Sequence, residues 1–318
     1  MNRSILVGGV CVAVATSGIV YGLHWYYRFS VPIVASTAVE ALTPYVATDT
    51  VQTSDVDAIP AIEEPSFETV DVADQYLKES GEGIDVSIQG EHRFYPYQIL
   101  VWHEVVNDSF GEADLMVTYA PLSGVAAVFE RTVRDQTLIF HTHNRVWNGT
   151  QLFSDEETQS LWSQMLGLCV EGESVGSGLK RVPAEVMSWN TWKQLHPDGK
   201  VLSRDTGFVR DYTRDPYQSY KTGSFVWYPT STTSTLLPMK TLVYIVTIGD
   251  ARKLYVADDV KQLEHIDDTV GDVAFRLSYD KSTDRVYTES DSDRTIWLDK
   301  GYWFAFISTF PTIEIYHE

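Results

Sequence analysis

The groups in this chain best able to do chemistry are a histidine set between a tryptophan and a glutamate, a pair of histidines one residue apart, and a segment carrying three arginines. The first is Trp102-His103-Glu104, followed closely by Asn107-Asp108. Helical spacing over residues 96–106 would put His103 and Asn107 on one face and Glu104 with Asp108 on the next. So placed, His103 would serve as a general base or a metal ligand, with Glu104 as the second catalytic candidate. The competing role for His103 is structural, because buried polar groups normally fill hydrogen-bonding needs. The second group, His141-Thr142-His143, directs two imidazoles to the same side of a strand, a workable chelating pair. A transition-metal site from His103, His141, His143 and a carboxylate would make a metal-assisted enzyme.

The third group is Arg204-Asp205-Thr206-Gly207 with Arg210, Arg214, Asp215, Tyr217 and Tyr220, polar and aromatic as ligand-binding loops often are. With Trp102 and Asn107, the set Arg204, Asp205, Arg210, Tyr217 and Tyr220 could hold a carboxylate, a phosphate or a sugar ring. An Arg–Asp network that merely pins a long irregular loop is the alternative. Ser123 is a poor nucleophile candidate, since Pro121-Leu122-Ser123-Gly124 lacks the Gly-x-Ser-x-Gly elbow. Phosphate-binding glycine loops, dinucleotide fingerprints and zinc-protease helix motifs are all missing from the sequence.

These segments fall in a fixed order along the chain. Tyr95-Pro96, Trp102-His103-Glu104-Val105-Val106-Asn107-Asp108, Thr118-Tyr119-Ala120-Pro121-Leu122-Ser123-Gly124, residues 155–164, Leu202-Ser203-Arg204-Asp205-Thr206-Gly207, and Arg210 with Asp215-Pro216-Tyr217 and Tyr220 follow one another. Together they resemble DUF3179, a family of envelope-associated proteins without an assigned activity, whose members usually carry Thr-Tyr-Cys-Pro-Leu-Cys at the third motif. Here Ala120 and Ser123 replace both cysteines. In members that keep the pair, two thiolates near the histidine would resemble a soft-metal or redox site. In this chain thiolate ligation and disulfide exchange at that motif are excluded, and a histidine-based metal site would have to stand in for them. The resemblance implies an exported β-rich domain over roughly residues 60–318, acting as a binding or structural module for an unknown envelope ligand.

The elements ahead of these motifs bear on location. Residues 5–23 form an uncharged apolar run that spans roughly 28 Å as a helix, about one hydrocarbon core. Trp25, Tyr26, Tyr27 and Arg28 follow, as suits a membrane interface. A retained single-pass anchor is the expectation for residues 1–28, with a cleaved signal peptide as the alternative. Residues 29–70 read as an acidic stalk, and no Lys or Arg occurs before Lys78 on that side, so the positive-inside bias places the N-terminus in the cytoplasm and the body outside. The net charge of −20 argues against nucleic acid as a partner. The two cysteines, Cys11 and Cys169, lie in the anchor and the body, so the body cannot form an internal disulfide.

Residues 86–119 align without a gap on residues 246–279: Tyr95 matches Tyr255, Glu104 matches Glu264, Asp108 matches Asp268, Gly111 matches Gly271 and Tyr119 matches Tyr279. A second echo pairs Trp189, Trp192 and Pro197 with Trp303, Phe306 and Pro311. The body therefore reads as two related halves, 71–229 and a shorter 236–318, with residues 230–235 as linker. Residues common to both halves belong to the shared fold, whereas Trp102, His103 and the arginine segment are peculiar to the first. Strands are expected at 84–88, 115–119, 126–133, 137–141, 181–182 and 242–248, helices at 71–78, 96–106 and 188–195, and turns at Gln89-Gly90, Arg134-Asp135-Gln136 and Asn148-Gly149. The expected class is mainly β (α+β): an antiparallel β-rich body with a few short helices, preceded by one transmembrane helix.

Overall fold

A hairpin, a short helix and a three-stranded meander occur twice in the computed structural model, which describes residues 51–52 and 59–317 apart from 232–233. The first set comprises strands Glu82–Ile88 and Glu91–Pro96, helix Tyr97–Leu100, and strands Val105–Phe110, Ala113–Ala120 and Val125–Glu130. The second comprises Leu242–Ile248, Ala251–Val256, helix Ala257–Leu263, and strands His265–Val270, Val273–Asp280 and Arg285–Glu289, every element starting 160 residues later. Each hairpin is then completed by a distant segment: Ala184–Ser188 pairs with the first and Trp297–Tyr302 with the second. Helices Trp189–Leu195 and Trp303–Thr309 follow, and then short parallel strands, Lys200–Leu202 and Glu314–Ile315.

Between the two sets lies a sheet of its own kind, Phe140–Trp147, Thr150–Asp155, Leu161–Ser163 and Leu168–Glu171, edged by Val51–Gln52. The five sheets form a propeller-like ring, with 44% of the described residues in strands and 13% in helices. The contacts between sheets close it. Ile84, Val86 and Tyr95 share a core with Val106, Leu115 and Val117 of the next sheet, and Met116 and Phe129 of that sheet share one with Phe140, Phe153 and Trp162. The middle sheet meets the fourth where Asn148 Nδ2 donates to the Ser308 carbonyl at 3.1 Å. Val246 and Tyr255 of the fourth sheet pack on Ile266 and Phe275 of the fifth. The fifth returns to the first, where Thr191 Oγ1 donates to the Thr283 carbonyl at 2.6 Å and Arg285 pairs with Glu185 at 2.5 Å.

The residues that the repeat retains hold these elements in place. Tyr95 donates to Asp108 at 2.5 Å, and Tyr255 to Asp268 at 2.9 Å, tying each hairpin to the following meander. Glu104 and Glu264 both adopt positive φ (58° and 65°), reversing the chain so that their carbonyls accept from the Tyr119 and Tyr279 amides. That conformation is uncommon for a non-glycine residue. It also corrects the expected helix over 96–106. The helix ends after Leu100, and the β-branched pair Val105-Val106 opens a strand instead. His103 and Asn107 therefore share no helical face. The expected helix at 71–78 is likewise only Val70–Ala73 followed by turns. The strand expected at 137–141 divides into Gln136–Thr137 and the start of Phe140–Trp147. The helix near 188–195 is present, with Ser188 Oγ accepting from the Thr191 amide at its N-cap.

The anchor expected at residues 5–23 and its aromatic flank lie outside the described residues. Among the described residues no helix is long and apolar enough to cross a membrane.

Candidate functional site

Three successive side chains of the Trp102-His103-Glu104 motif each grip one point of the arginine segment. Trp102 Nε1 donates to the Arg214 carbonyl at 3.1 Å. His103 Nε2 meets the Tyr212 hydroxyl at 2.7 Å, and that hydroxyl meets Thr206 Oγ1 at 2.6 Å. Glu104 Oε1 accepts from the Tyr217 hydroxyl at 2.8 Å. Residues 204–217 have no regular secondary structure of their own and are positioned by this clamp, by Ser66 Oγ donating to the Asp205 carbonyl at 2.8 Å, and by the Asp215 turn, where Oδ1 accepts from the Tyr217 amide and Oδ2 pairs with Lys221 at 2.8 Å.

The geometry assigns each imidazole a role. His103 is fully buried, and its Nδ1 faces the Pro60 carbonyl at 2.8 Å, which makes Nδ1 the donor and Nε2 the acceptor from Tyr212. Both ring nitrogens are engaged, and burial lowers its pKa to about 4, so it stays neutral. His141 lies 3.7 Å from Glu156 and 4.0 Å from Glu63 near the surface. His143 is partly buried with Nδ1 unpartnered, and burial holds it below its usual pKa. These three histidines do not converge: among the described residues the one group of three side chains close enough to share a metal is Asp85, His92 and His196. Sequence spacing gave no hint of that group, because Asp85 and His92 stand on the two strands of one hairpin and His196 joins them from a distant helix end.

Glu104 is the more unusual acid. It is 1% exposed, its Oε2 has no hydrogen-bond partner, and burial raises its pKa to about 7 although the Tyr217 hydroxyl pulls the other way. Asn107 is scaffold: its amide donates to the Phe140 carbonyl and accepts from the Phe140 amide, both at 2.9 Å, stitching the second sheet to the middle one. Tyr220 is buried and donates to the Leu122 carbonyl at 2.7 Å. Tyr217 and Tyr220 thus use their hydroxyls to anchor the loop. Ser123 is buried in the turn after Ala120, whose carbonyl accepts from both its amide and its hydroxyl. Cys169 is buried in the core of the second and middle sheets, its thiol pushed up to about 12 by burial.

The clamp holds the loop against one mouth of the ring's centre. A cavity of about 1390 Å³ opens there, lined by Arg204, Tyr212 and Arg214 from the loop and by residues from the first, second, fourth and fifth sheets. Six cationic side chains face it, Lys78, Arg204, Arg214, Lys221, Lys281 and Lys300, against four acids, Glu79, Glu82, Asp215 and Asp284. Lys221, Lys281 and Lys300 are paired with acids, whereas Arg204 stacks on Tyr76 with its guanidinium 3.6 Å from the ring centre. Tyr97 and Tyr119 lie face to face at 3.8 Å and also line the cavity. Neither phenol has a hydrogen-bond partner among the described residues, and burial raises both pKa values, so both remain donors. Glu82, Asp284 and Lys300 line this cavity and also a smaller one of about 350 Å³, placing the Glu82–Lys300 pair between the two. Asp205 and Arg210 sit on the loop's other side, lining a shallow hollow. Lys78, Lys221, Lys281 and Lys300 escaped the sequence reading because they come from separate elements.

No curated protein and no solved structure matches the chain. A family model described as a protein of unknown function, DUF3179, matches residues 56–301, which include the clamp, the arginine loop and most of the mouth. The chain belongs to the DUF3179 family.

Proposed function

We propose that this protein is a membrane-anchored, extracytoplasmic binding module whose ring mouth takes an anionic, hydroxyl-rich envelope molecule several sugar units long. The observation that carries the reading is the surplus of cations at the mouth, six against four acids, in a chain whose net charge is −20. A surface acidic overall concentrates positive charge in one place only at the expense of self-repulsion elsewhere, and such a patch attracts anions at contact range. The free Tyr97 and Tyr119 hydroxyls supply uncharged donors at the cavity wall. The cavity exceeds the ~300–1,000 Å³ usual for small-molecule sites, which suits an oligomer better than a single ring. The anchor at residues 5–23 and the charge asymmetry around it support the location.

Retention of the full chain on immobilised oligogalacturonate, with a neutral malto-oligosaccharide column as comparator, tests the reading. Binding to the acidic column alone, lost in an Arg204→Ala/Arg214→Ala double variant, is expected. Equal retention on both columns, or on neither, would remove the basis for an anionic ligand.

A further inference from the structure

Asp85 is 8% exposed, and among the described residues no lysine or arginine pairs with it. Its neighbours are two imidazoles and an indole. Oδ1 lies 3.4 Å from His92 Nδ1 and accepts from Trp192 Nε1 at 2.6 Å, and Oδ2 lies 3.9 Å from His196 Nε2. The two imidazoles stack with centres 3.6 Å apart and planes at 18°. A carboxylate this shielded is costly to bury unless a cation faces it. Glu185, directly across the strand pair from Asp85, is already matched by Arg285.

We propose that Asp85, His92 and His196 form a site for a divalent transition cation, Zn²⁺. The donor atoms of the three side chains lie within 4.8 Å of one another. In a tetrahedral zinc site with bonds of about 2.0–2.1 Å, neighbouring donors stand about 3.4 Å apart. Asp85 Oδ1 stands 3.4 Å from His92 Nδ1 and Oδ2 stands 3.9 Å from His196 Nε2, close to that spacing, and the two stacked rings turn apart on binding so that both in-plane lone pairs reach the ion. Trp192 orients the carboxylate from behind, as outer-shell donors do in metal sites. Three protein ligands leave a fourth position for water. The cation would join strands Glu82–Ile88 and Glu91–Pro96 to the end of helix Trp189–Leu195.

The second copy of the same substructure shows what this place looks like without ligands. Arg252 occupies the position of His92 and Phe310 that of His196, with the Arg252 guanidinium 4.6 Å from the Phe310 ring centre, and Ile245 stands where Asp85 does. Stacking between the two positions thus belongs to the shared fold, whereas the metal-binding groups are peculiar to the first copy. The comparison also supplies a control that the fold already tolerates: His92→Arg with His196→Phe.

The test is calorimetric titration of the chelator-stripped full chain with zinc sulfate, alongside Co²⁺ absorption spectra. The wild type should take up one Zn²⁺ per chain and give the intense visible bands of low-coordinate Co²⁺. In His92→Arg/His196→Phe affinity should drop by at least about 100-fold, ligand loss exceeding the effect of removing outer-shell partners. The metal-free melting temperature should stay near that of the metal-free wild type. His92→Gln alone should weaken binding in the same direction, and His141→Gln/His143→Gln should leave it unchanged. No zinc uptake by the wild type, uptake unaltered by the His92 and His196 changes, or uptake abolished by the His141/His143 change would each overturn the assignment.

Discussion

Replacing Glu104 by glutamine should make the protein more stable than the wild type in alkali and not in acid. The carboxyl is 1% exposed, has one unpartnered oxygen, and is raised from 4.5 to about 7 chiefly by burial. Between pH 4.5 and 7 the unfolded chain has released this proton while the folded chain still holds it. The folded state then binds more protons, so stability falls as pH rises through that window and levels off above it. A rise of this size corresponds to about 3 kcal/mol. Glutamine keeps an acceptor for the Tyr217 hydroxyl and puts an uncharged donor where the protonated acid has its hydroxyl. Denaturant unfolding of wild type and Glu104→Gln at intervals from pH 4.5 to 8.5 reads the effect. The stability difference between variant and wild type should grow by about 3 kcal/mol in favour of the variant as pH rises. A difference that is flat across this range, or that grows in favour of the wild type, would refute the assignment of Glu104 as a desolvated acid.

Other substitutions probe separate parts of the account. His103, lowered to about 4 by burial, has the opposite sign: below pH 6.5 the unfolded chain takes up a proton that the folded chain refuses. Stability should therefore drop by about 3 kcal/mol on acidification to pH 4, and His103→Gln should flatten that acid limb in a denaturation series extended to pH 4. Tyr95→Phe should destabilise by about 1–3 kcal/mol and Tyr255→Phe by less, because Asp108 is the more buried of the two acceptors. Gly149→Ala should lower stability by at least about 2 kcal/mol, read as a shift in the melting curve. The glycine is at φ 72° and an added Cβ would lie 2.5 Å from Phe304, at the contact of the middle and fourth sheets.

Much of the scaffold is written plainly in the chain. Gln89-Gly90 and Asn148-Gly149 make the turns expected of them, with positive φ at all four residues. The residues common to residues 86–119 and 246–279 turn out to be those that join hairpin to meander, through Tyr95–Asp108 and Tyr255–Asp268. Local spacing misled where one backbone reversal mattered. The run over 96–106 has helical periodicity, yet Glu104 at φ 58° turns it into a strand, and only the Tyr119 contact across the sheet reveals why. The Trp102 motif and the arginine segment were both visible, but their partnership was not, because it links Trp102, His103 and Glu104 to residues more than a hundred positions away. His92 and His196 stand against Arg252 and Phe310 in the two internal echoes, so the repeat marks them as peculiar to the first copy without showing that they meet.

The proposed binding of an anionic, hydroxyl-rich molecule at the mouth of the ring is open to direct test. Calorimetric titration of the full chain with oligogalacturonate at two salt concentrations, in wild type and in Arg204→Ala/Arg214→Ala, tests it most directly. Saturable binding by the wild type that weakens as salt is raised, and its loss in the double variant, are expected. Absence of binding at low salt, or binding indifferent both to salt and to the two arginines, would contradict it.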